Sequence, residues 1–225
     1  MLPFAQLIQP AIDLAEKGLP LSESQAASFN GMKATFEARN KGRVAFVKQT
    51  PWHAGDTLRQ PELAMTLKRI RDLGRDGFYA GETARLIVDE CKRGNGIISA
   101  SDLRDYNSEW ERPLTADYRG YEIITMPPPS SGGIALIQIL KMIEPYDIAG
   151  MGFHSTAAMH LMTEAERRAY ADRAEFLGDP DFVTIPVKAL LNKDYLAERM
   201  SDFDPARASL SSEIKHGTPN HYESE

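Results

Sequence analysis

The sequence predicts an α+β protein that is mostly helical, and three observations support this prediction. Apolar residues recur every three or four positions over most of the chain, which is the spacing of a helix face. One stretch, residues 107–126, is instead rich in aromatic and branched aliphatic residues around an Arg119-Gly120 turn, as expected for a β-hairpin. Of the 225 residues, 42% are hydrophobic and 26% are charged, which is typical of a globular chain.

The first hundred residues predict four helices separated by loops. Proline or serine stands near the start of three of these helices, and glycine follows three of them. The helices are expected at about residues 10–18, 22–39, 61–74 and 82–92. Residues 40–60 contain glycines and a proline and predict a loop. Cys91, the single cysteine, lies on the apolar face of the fourth helix and is expected to be a buried small side chain rather than a reactive thiol.

The second half begins with the predicted hairpin and continues with helices. Pro127–Pro129 end the hairpin, because proline cannot donate to a sheet ladder. A helix that is apolar on nearly every side follows at 134–143, with Ser131 as its expected N-cap. A long helix is expected from Ser155 to about residue 176. Two short helices are expected after it, near residues 187–191 and 194–200.

The last part of the sequence is polar and lacks apolar periodicity. Because such a segment has little burial to offset its ordering entropy, residues 201–225 are expected to form an irregular tail that is poorly ordered or loosely attached. The predicted division is therefore a mainly helical domain, residues 1–200, followed by this tail.

Asp172 lies on the apolar stripe of the predicted long helix, together with Ala158, Met162, Ala165, Ala169 and Phe176. An isolated buried charge costs several kcal/mol or more, so this carboxylate must be paired or hydrogen-bonded. We therefore predict a structural role, in which Asp172 holds one element against another. The charged residues around it are expected to form weak pairs on the helix surface, with an anion clamp as the alternative; they are Arg167, Arg168, Arg173 and Glu175.

The segment Ser130-Ser131-Gly132-Gly133 is the most active-site-like feature of the sequence. Free N–H groups and a serine at a helix N-terminus can bind an anion or an oxyanion. Helix capping and close packing are favoured instead, because no His or Asp stands beside it in the pattern of a nucleophile elbow. No P-loop and no H-E-x-x-H motif occurs, so neither a cofactor nor a metal ion is expected.

Charge and hydropathy exclude other classes of protein. The formal net charge of −6 at pH 7 argues against nucleic-acid binding, which needs clustered Lys and Arg. No run of about 18 uninterrupted apolar residues occurs, so no membrane span is expected. The first residues show no secretory signal, so we expect either a cytoplasmic protein or a sequence whose true N-terminus is missing.

Several blocks resemble the γ-glutamyltranspeptidases in their order and spacing. The most specific is Met126-Pro127-Pro128-Pro129-Ser130-Ser131-Gly132-Gly133. The other blocks are Gly55-Asp56-Thr57-Leu58, Tyr118-Arg119-Gly120-Tyr121, Glu164-Ala165, Tyr170-Ala171-Asp172-Arg173 and Leu177-Gly178-Asp179-Pro180-Asp181-Phe182. The resemblance covers residues 2–225 and corresponds to the large chain of that family.

This resemblance implies part of the large subunit of an αββα N-terminal-nucleophile hydrolase. In such enzymes a precursor cleaves itself before a threonine, whose new α-amine then acts as the base for its own hydroxyl. The family has Tyr-Glu-Ser just before that threonine, and here the chain reads Tyr222-Glu223-Ser224-Glu225. Glu225 is therefore expected at the cleavage junction. No residue of this chain is assigned a catalytic role, and Ser130, Ser131, Gly132, Gly133, Asp172 and Arg173 are expected to be structural.

The assembled enzyme is expected to transfer the γ-glutamyl group of glutathione or a similar donor to water or an amino acid. Its implied partners are the small subunit of the same precursor and γ-glutamyl substrates such as glutathione, and the implied location is periplasmic or secreted. The chain alone is expected to be inactive. Two alternatives stay open at this point. One is a related acylase, either cephalosporin-acylase-like or poly-γ-glutamyl-processing, and the other is a non-catalytic helical interaction module.

Overall fold

The computed structural model describes residues 2–40 and 42–219. The helices and strands, in chain order, are α1 (Phe4–Lys17), β1 (Leu19–Pro20), α2 (Glu23–Arg39), β2 (Thr57–Leu58), α3 (Pro61–Leu73), α4 (Asp76–Tyr79), α5 (Gly81–Arg93), α6 (Ala100–Asp105), β3 (Leu114–Tyr118), β4 (Tyr121–Thr125), α7 (Gly132–Ile143), α8 (Thr156–Phe176), α9 (Val187–Leu190) and α10 (Lys193–Arg199). The prediction of a mostly helical α+β chain is confirmed. The chain forms two compact units, one within residues 1–108 and one within residues 109–225. The predicted division at residue 200 stays a prediction.

The first unit is built on α1 and α3, which pack against each other. Ile12 of α1 and Ala64 of α3 are buried. The predicted start of α1 is wrong, because the helix begins at Phe4 and Pro10 lies inside it. Its predicted end is confirmed: the Gly18 N–H donates to Leu14 O over 2.9 Å, and Gly18 adopts a φ of 87° that favours glycine.

Local capping signals explain two further helices of the first unit. Ser22 caps α2 and forms a capping box with Gln25, as the predicted start at residue 22 requires. A second capping box, Ser99 with Asp102, starts α6, a helix that was not predicted from the sequence. The six residues of α6 are too few to show apolar periodicity, but the Ser-x-x-Asp pattern signals its start.

Cys91 differs from its prediction in burial. The side chain is only partly buried, and its Sγ accepts the Ile98 N–H over 3.2 Å. A Cβ on Gly96 would lie 2.4 Å from this sulfur, so the turn after α5 folds back against Cys91. The cysteine therefore holds the turn as an acceptor and does not serve purely as a core side chain.

The second unit joins the hairpin to a helical core. The hairpin is confirmed, with Leu114 opposite Thr125 and Tyr118 opposite Tyr121. The next element, α7, packs on β3 and on α8. Gly133 is required at this junction, since a Cβ there would lie 2.0 Å from the Met126 carbonyl oxygen. The core residues are Ile134, Met142, Ile143, Leu161, Ala165, Ala169, Leu190, Tyr195, Leu196 and Met200.

One prediction for this unit needs correction. The helix α7 is not buried all round, because Leu136 is 42% exposed. Within the described part of the chain, no helix combines the length and the apolar character that crossing a membrane requires.

Candidate functional site

The long helix α8 carries charged side chains into the core of the second unit. Ser155 caps the helix as predicted, accepting the Ala158 N–H over 3.1 Å. The predicted stripe is correct except at Met162, which is 36% exposed, whereas Leu161 is fully buried. The same face buries three charged side chains, each only 1% exposed: Glu164, Arg168 and Asp172.

The carboxylate of Asp172 is the centre of a buried hydrogen-bond network. Its Oδ2 accepts the Tyr195 hydroxyl of α10 over 2.7 Å and the Gln138 amide of α7 over 3.3 Å. Its Oδ1 accepts the Gly217 backbone N–H over 2.9 Å and lies 3.1 Å from Nη2 of Arg199. The predicted burial of Asp172 is thus confirmed, and so are partners from other elements. Burial and the hydrogen bond to Asp172 raise the pKa of Tyr195, so this tyrosine stays a proton donor.

Arg199 connects this network to the backbone around it. Its Nη2 donates to Lys215 O over 2.9 Å and to Arg168 O over 3.0 Å. Its buried Nε has no hydrogen-bond partner within residues 2–40 and 42–219. Nη2 of the guanidinium therefore links α10, to which Arg199 belongs, to α8 and to the tail.

Glu164 and Arg168 form a second buried network one to two turns earlier on α8. Nη1 of Arg168 donates to Glu164 Oε2 over 2.7 Å, and Nη2 donates to Asp202 over 2.6 Å. The other carboxylate oxygen of Glu164, Oε1, accepts hydrogen bonds from the Ser209 N–H over 3.0 Å and from Nη1 of Arg167 over 2.9 Å. The prediction of weak surface pairs is wrong for Arg168, because the tail covers this part of the helix.

The ionisation of Glu164 makes stability depend on pH. Burial by itself would raise its pKa, but hydrogen bonds from Arg168 and Ser209 outweigh burial and lower the pKa to about 2 from its ordinary 4.5. A depressed carboxyl pKa contributes stability that is complete above about pH 5 and is lost as pH falls from 4.5 towards 2. We expect up to about 3 kcal/mol of unfolding free energy to be lost in this window.

The contribution of Glu164 is measured by urea unfolding between pH 6 and pH 2, which gives the unfolding free energy of the unmodified protein and of a Glu164→Gln variant. Glutamine cannot titrate, so the variant should start less stable and lose less on acidification. An equal pH dependence in the two proteins would contradict the assignment.

Residues 201–219 follow the length of α8. His160 Nε2 lies 3.0 Å from Asp204 O, Glu164 accepts from Ser209, and Asp172 accepts from Gly217. Residue numbers increase in the same direction along both segments, so the tail runs parallel to α8. None of the described residues of this segment lies in a helix or strand named above. The division of the chain into a domain and a separate irregular tail stays a prediction. The expectation of loose attachment is wrong for the described residues, because buried side chains of α8 bind their backbone.

Ser131 and Arg173 join two of the sequence blocks singled out above. Nε of Arg173 donates to Ser131 Oγ over 2.8 Å, and both residues line a cleft of about 290 Å³ with Pro129 and Leu177. Ser131 stands before α7, but its side chain makes no capping hydrogen bond, so the predicted cap is wrong. Its hydroxyl faces a guanidinium, which is a donor and does not act as a base.

The remaining candidates have a simpler outcome. Ser130 Oγ accepts the Gly132 N–H over 3.4 Å, which closes the turn before α7. No group of three or more His, Cys, Asp or Glu side chains within the described ranges is arranged to hold a metal ion. Glu225 and Tyr222–Ser224 lie outside the described residues. The absence of a catalytic residue, and the structural role of the six motif residues, stay predictions.

The chain matches known proteins over its whole length. A family model described as Gamma-glutamyltranspeptidase matches residues 1–225. The glutathione hydrolase proenzyme of Pseudomonas sp. strain A14 is 42% identical over 218 residues, which are 96% of this chain and 38% of that protein. The acylase ACY 1 proenzyme of Pseudomonas sp. strain SE83 is 40% identical over 88% of this chain and 36% of that protein. The chain thus spans less than half the length of these relatives.

Solved structures give the same result for the fold. The crystal structure of Helicobacter pylori γ-glutamyltranspeptidase superimposes with a TM-score of 0.90 at 41% identity. The match covers 96% of this chain and 63% of that one. With a family model that matches throughout and relatives above 30% identity over almost all of its residues, the chain belongs to the γ-glutamyltranspeptidase family.

Proposed function

We propose that this chain is part of the large subunit of an enzyme that transfers or hydrolyses the γ-glutamyl group of glutathione and related donors. The observation that carries the proposal is the 42% identity to a glutathione hydrolase proenzyme over 96% of the chain. Family membership favours this function over a non-catalytic interaction module. The nucleophile would be the N-terminal threonine of a small subunit made from the same precursor, with Glu225 at the junction.

The chain's own role in this proposal is structural. Ser130, Ser131, Gly132 and Gly133 start α7, and Ser131 binds Arg173 of α8. Asp172 holds α7, α10 and the tail together. None of these residues would touch the reacting atoms. The proposed architecture is the αββα sandwich of N-terminal-nucleophile hydrolases, and the proposed location is periplasmic or secreted.

Expression of the full-length precursor tests the proposal. We expect conversion into two chains, the first ending at Glu225 by intact mass and the second beginning with threonine. The two-chain product should release the chromophore from a γ-glutamyl anilide and glutamate from glutathione. A related acylase is the second candidate, because the ACY 1 proenzyme is 40% identical. A product that ignores both γ-glutamyl donors but cleaves an N-acyl β-lactam would favour the acylase.

Residues 1–225 expressed alone should have no γ-glutamyl transferase or hydrolase activity. The physical reason is that Ser131 faces a cation and Cys91 accepts a backbone N–H, whereas a nucleophile needs a neighbouring base. Release from the γ-glutamyl anilide should equal the buffer blank. Turnover that survives repurification and is proportional to protein concentration would contradict this prediction.

A further inference from the structure

The backbone of the tail at Gly217 lies directly against the Asp172 network. The Gly217 N–H donates to Asp172 Oδ1 over 2.9 Å. A Cβ at this position would lie 2.5 Å from the Tyr195 hydroxyl oxygen and 2.8 Å from Cδ of Arg199. Tyr195 is only 1% exposed, so it has little room to move aside. This contact therefore requires glycine.

The acceptor for this N–H is held in place from its other side. Tyr195 and Gln138 both donate to Asp172 Oδ2, and Gln138 also donates to Leu190 O over 3.0 Å. The carboxylate is thereby fixed between α7 and α10, with Oδ1 directed at the tail. Arg199 adds a second attachment through Lys215 O, two residues before Gly217.

This attachment comes shortly before the proposed cleavage junction. Glu225 lies eight positions after Gly217, and eight residues span at most about 29 Å even when fully extended. Before the tail reaches Asp172, it is already bound to α8 by the hydrogen bond from the Ser209 N–H to Glu164. Within the described residues 201–219, the Gly217 N–H makes the last hydrogen bond to α8 before the proposed junction.

We propose that Asp172 is a positioning residue for self-cleavage, which it serves by holding Gly217 so that the following segment reaches the nucleophile in the correct register. The inference rests on the proposed function. In the cleavage itself, the threonine hydroxyl adds to the Glu225 carbonyl, and the C–N bond breaks as the threonine nitrogen takes the proton. Water then hydrolyses the resulting ester, which leaves a Glu225 carboxylate and a free threonine hydroxyl. Asp172 takes part in none of these bonds.

The test follows conversion of the full-length precursor by gel electrophoresis in matched glycine variants. In Gly217→Ala, the new Cβ displaces the tail from Tyr195, and conversion should slow at least tenfold. In Gly31→Ala, nothing lies within 4 Å of the new Cβ, and conversion should match the unmodified precursor. Molecules of Gly217→Ala that complete cleavage should have normal kcat and KM, because the tail no longer links the two chains.

A second pair of variants separates positioning from folding. Asp172→Asn keeps an oxygen acceptor for the Gly217 N–H, so folded molecules should convert within about threefold of the normal rate. Asp172→Ala removes the acceptor, and its folded molecules should convert at least tenfold more slowly. Tyr195→Phe should lower the thermal midpoint but slow conversion much less than Gly217→Ala, since it leaves the tail contact in place.

The results distinguish this inference from the proposed function. Conversion of Gly217→Ala at the normal rate would overturn the positioning role alone. The same holds if the conversion rates of all variants simply follow their thermal midpoints, because that pattern indicates a purely structural role. An unmodified precursor that never cleaves would overturn the proposed function, and the positioning role with it.

Discussion

Replacement of Asp172 by asparagine is expected to lower the thermal midpoint of the protein by several degrees. The carboxylate is 1% exposed and receives hydrogen bonds from Gly217, Tyr195 and Gln138, with Arg199 at 3.1 Å. An amide offers one acceptor oxygen in place of two, so at least one buried donor loses its partner. Each such loss costs about 1–3 kcal/mol, and more when the donor is charged.

The expected shift follows from the size of the chain. For 150–250 residues, 1 kcal/mol corresponds to about 2–4 °C in Tm. Asp172→Ala should cost at least as much as Asp172→Asn, because it also leaves a small cavity. Asp117→Asn is the matched control, since Asp117 is exposed on β3 and should leave the midpoint nearly unchanged.

Thermal unfolding followed by circular dichroism measures the change in midpoint of each variant. Steady-state kinetics of the assembled enzyme then shows whether Asp172→Asn affects stability or catalysis. We expect a lower yield of folded, self-cleaved enzyme with a nearly normal KM in the surviving molecules. A catalytic acid predicts the reverse pattern, with normal folding and lost turnover. A stable, fully processed but inactive Asp172→Asn enzyme would show that the structural role assigned to this residue is wrong.

Removal of the Arg168 guanidinium is expected to be even more destabilising. Arg168→Met leaves the Glu164 carboxylate buried without the cation that binds Oε2 over 2.7 Å. Breaking a buried ion pair by removing one partner costs about 3–5 kcal/mol, which corresponds to roughly 6–20 °C for a chain of this size. The third partner, Asp202, is 75% exposed and can be solvated once the arginine is gone.

A second substitution in the same network provides the decisive comparison. The double variant Arg168→Met/Glu164→Gln removes both charges and keeps an acceptor for the Ser209 N–H, so it should recover part of the lost midpoint. Arg85→Met is the control, because Arg85 forms ion pairs with Glu82 and Asp89 only on the exposed surface of α5. A double variant less stable than Arg168→Met would contradict the buried-charge explanation.

Several features of the fold could be predicted from short stretches of sequence. The Arg119-Gly120 turn marks the hairpin, and Ser22 with Gln25 marks the start of α2. The placement of Asp172 toward the core follows from helical periodicity alone. These signals act over a few residues, so no other part of the chain is needed to interpret them. The family resemblance is also a property of the sequence, because it depends on the order and spacing of short blocks.

Other features depend on segments that are distant in sequence. The sequence predicts weak surface pairs for Arg168, yet Arg168 and its partner Glu164 are buried because residues 202–209 cover that part of α8. Ser131 loses its expected capping role because Arg173, 42 positions later, binds its hydroxyl.

Block spacing, helical periodicity and turn residues are thus enough to predict the family, most helices, the hairpin and the inward direction of Asp172. The donors that bind this carboxylate and the path of the polar tail depend on contacts between distant segments, because a polar segment without periodicity is ordered by its partners. Whether it binds depends on buried charges of α8, which themselves become buried only when the segment is in place.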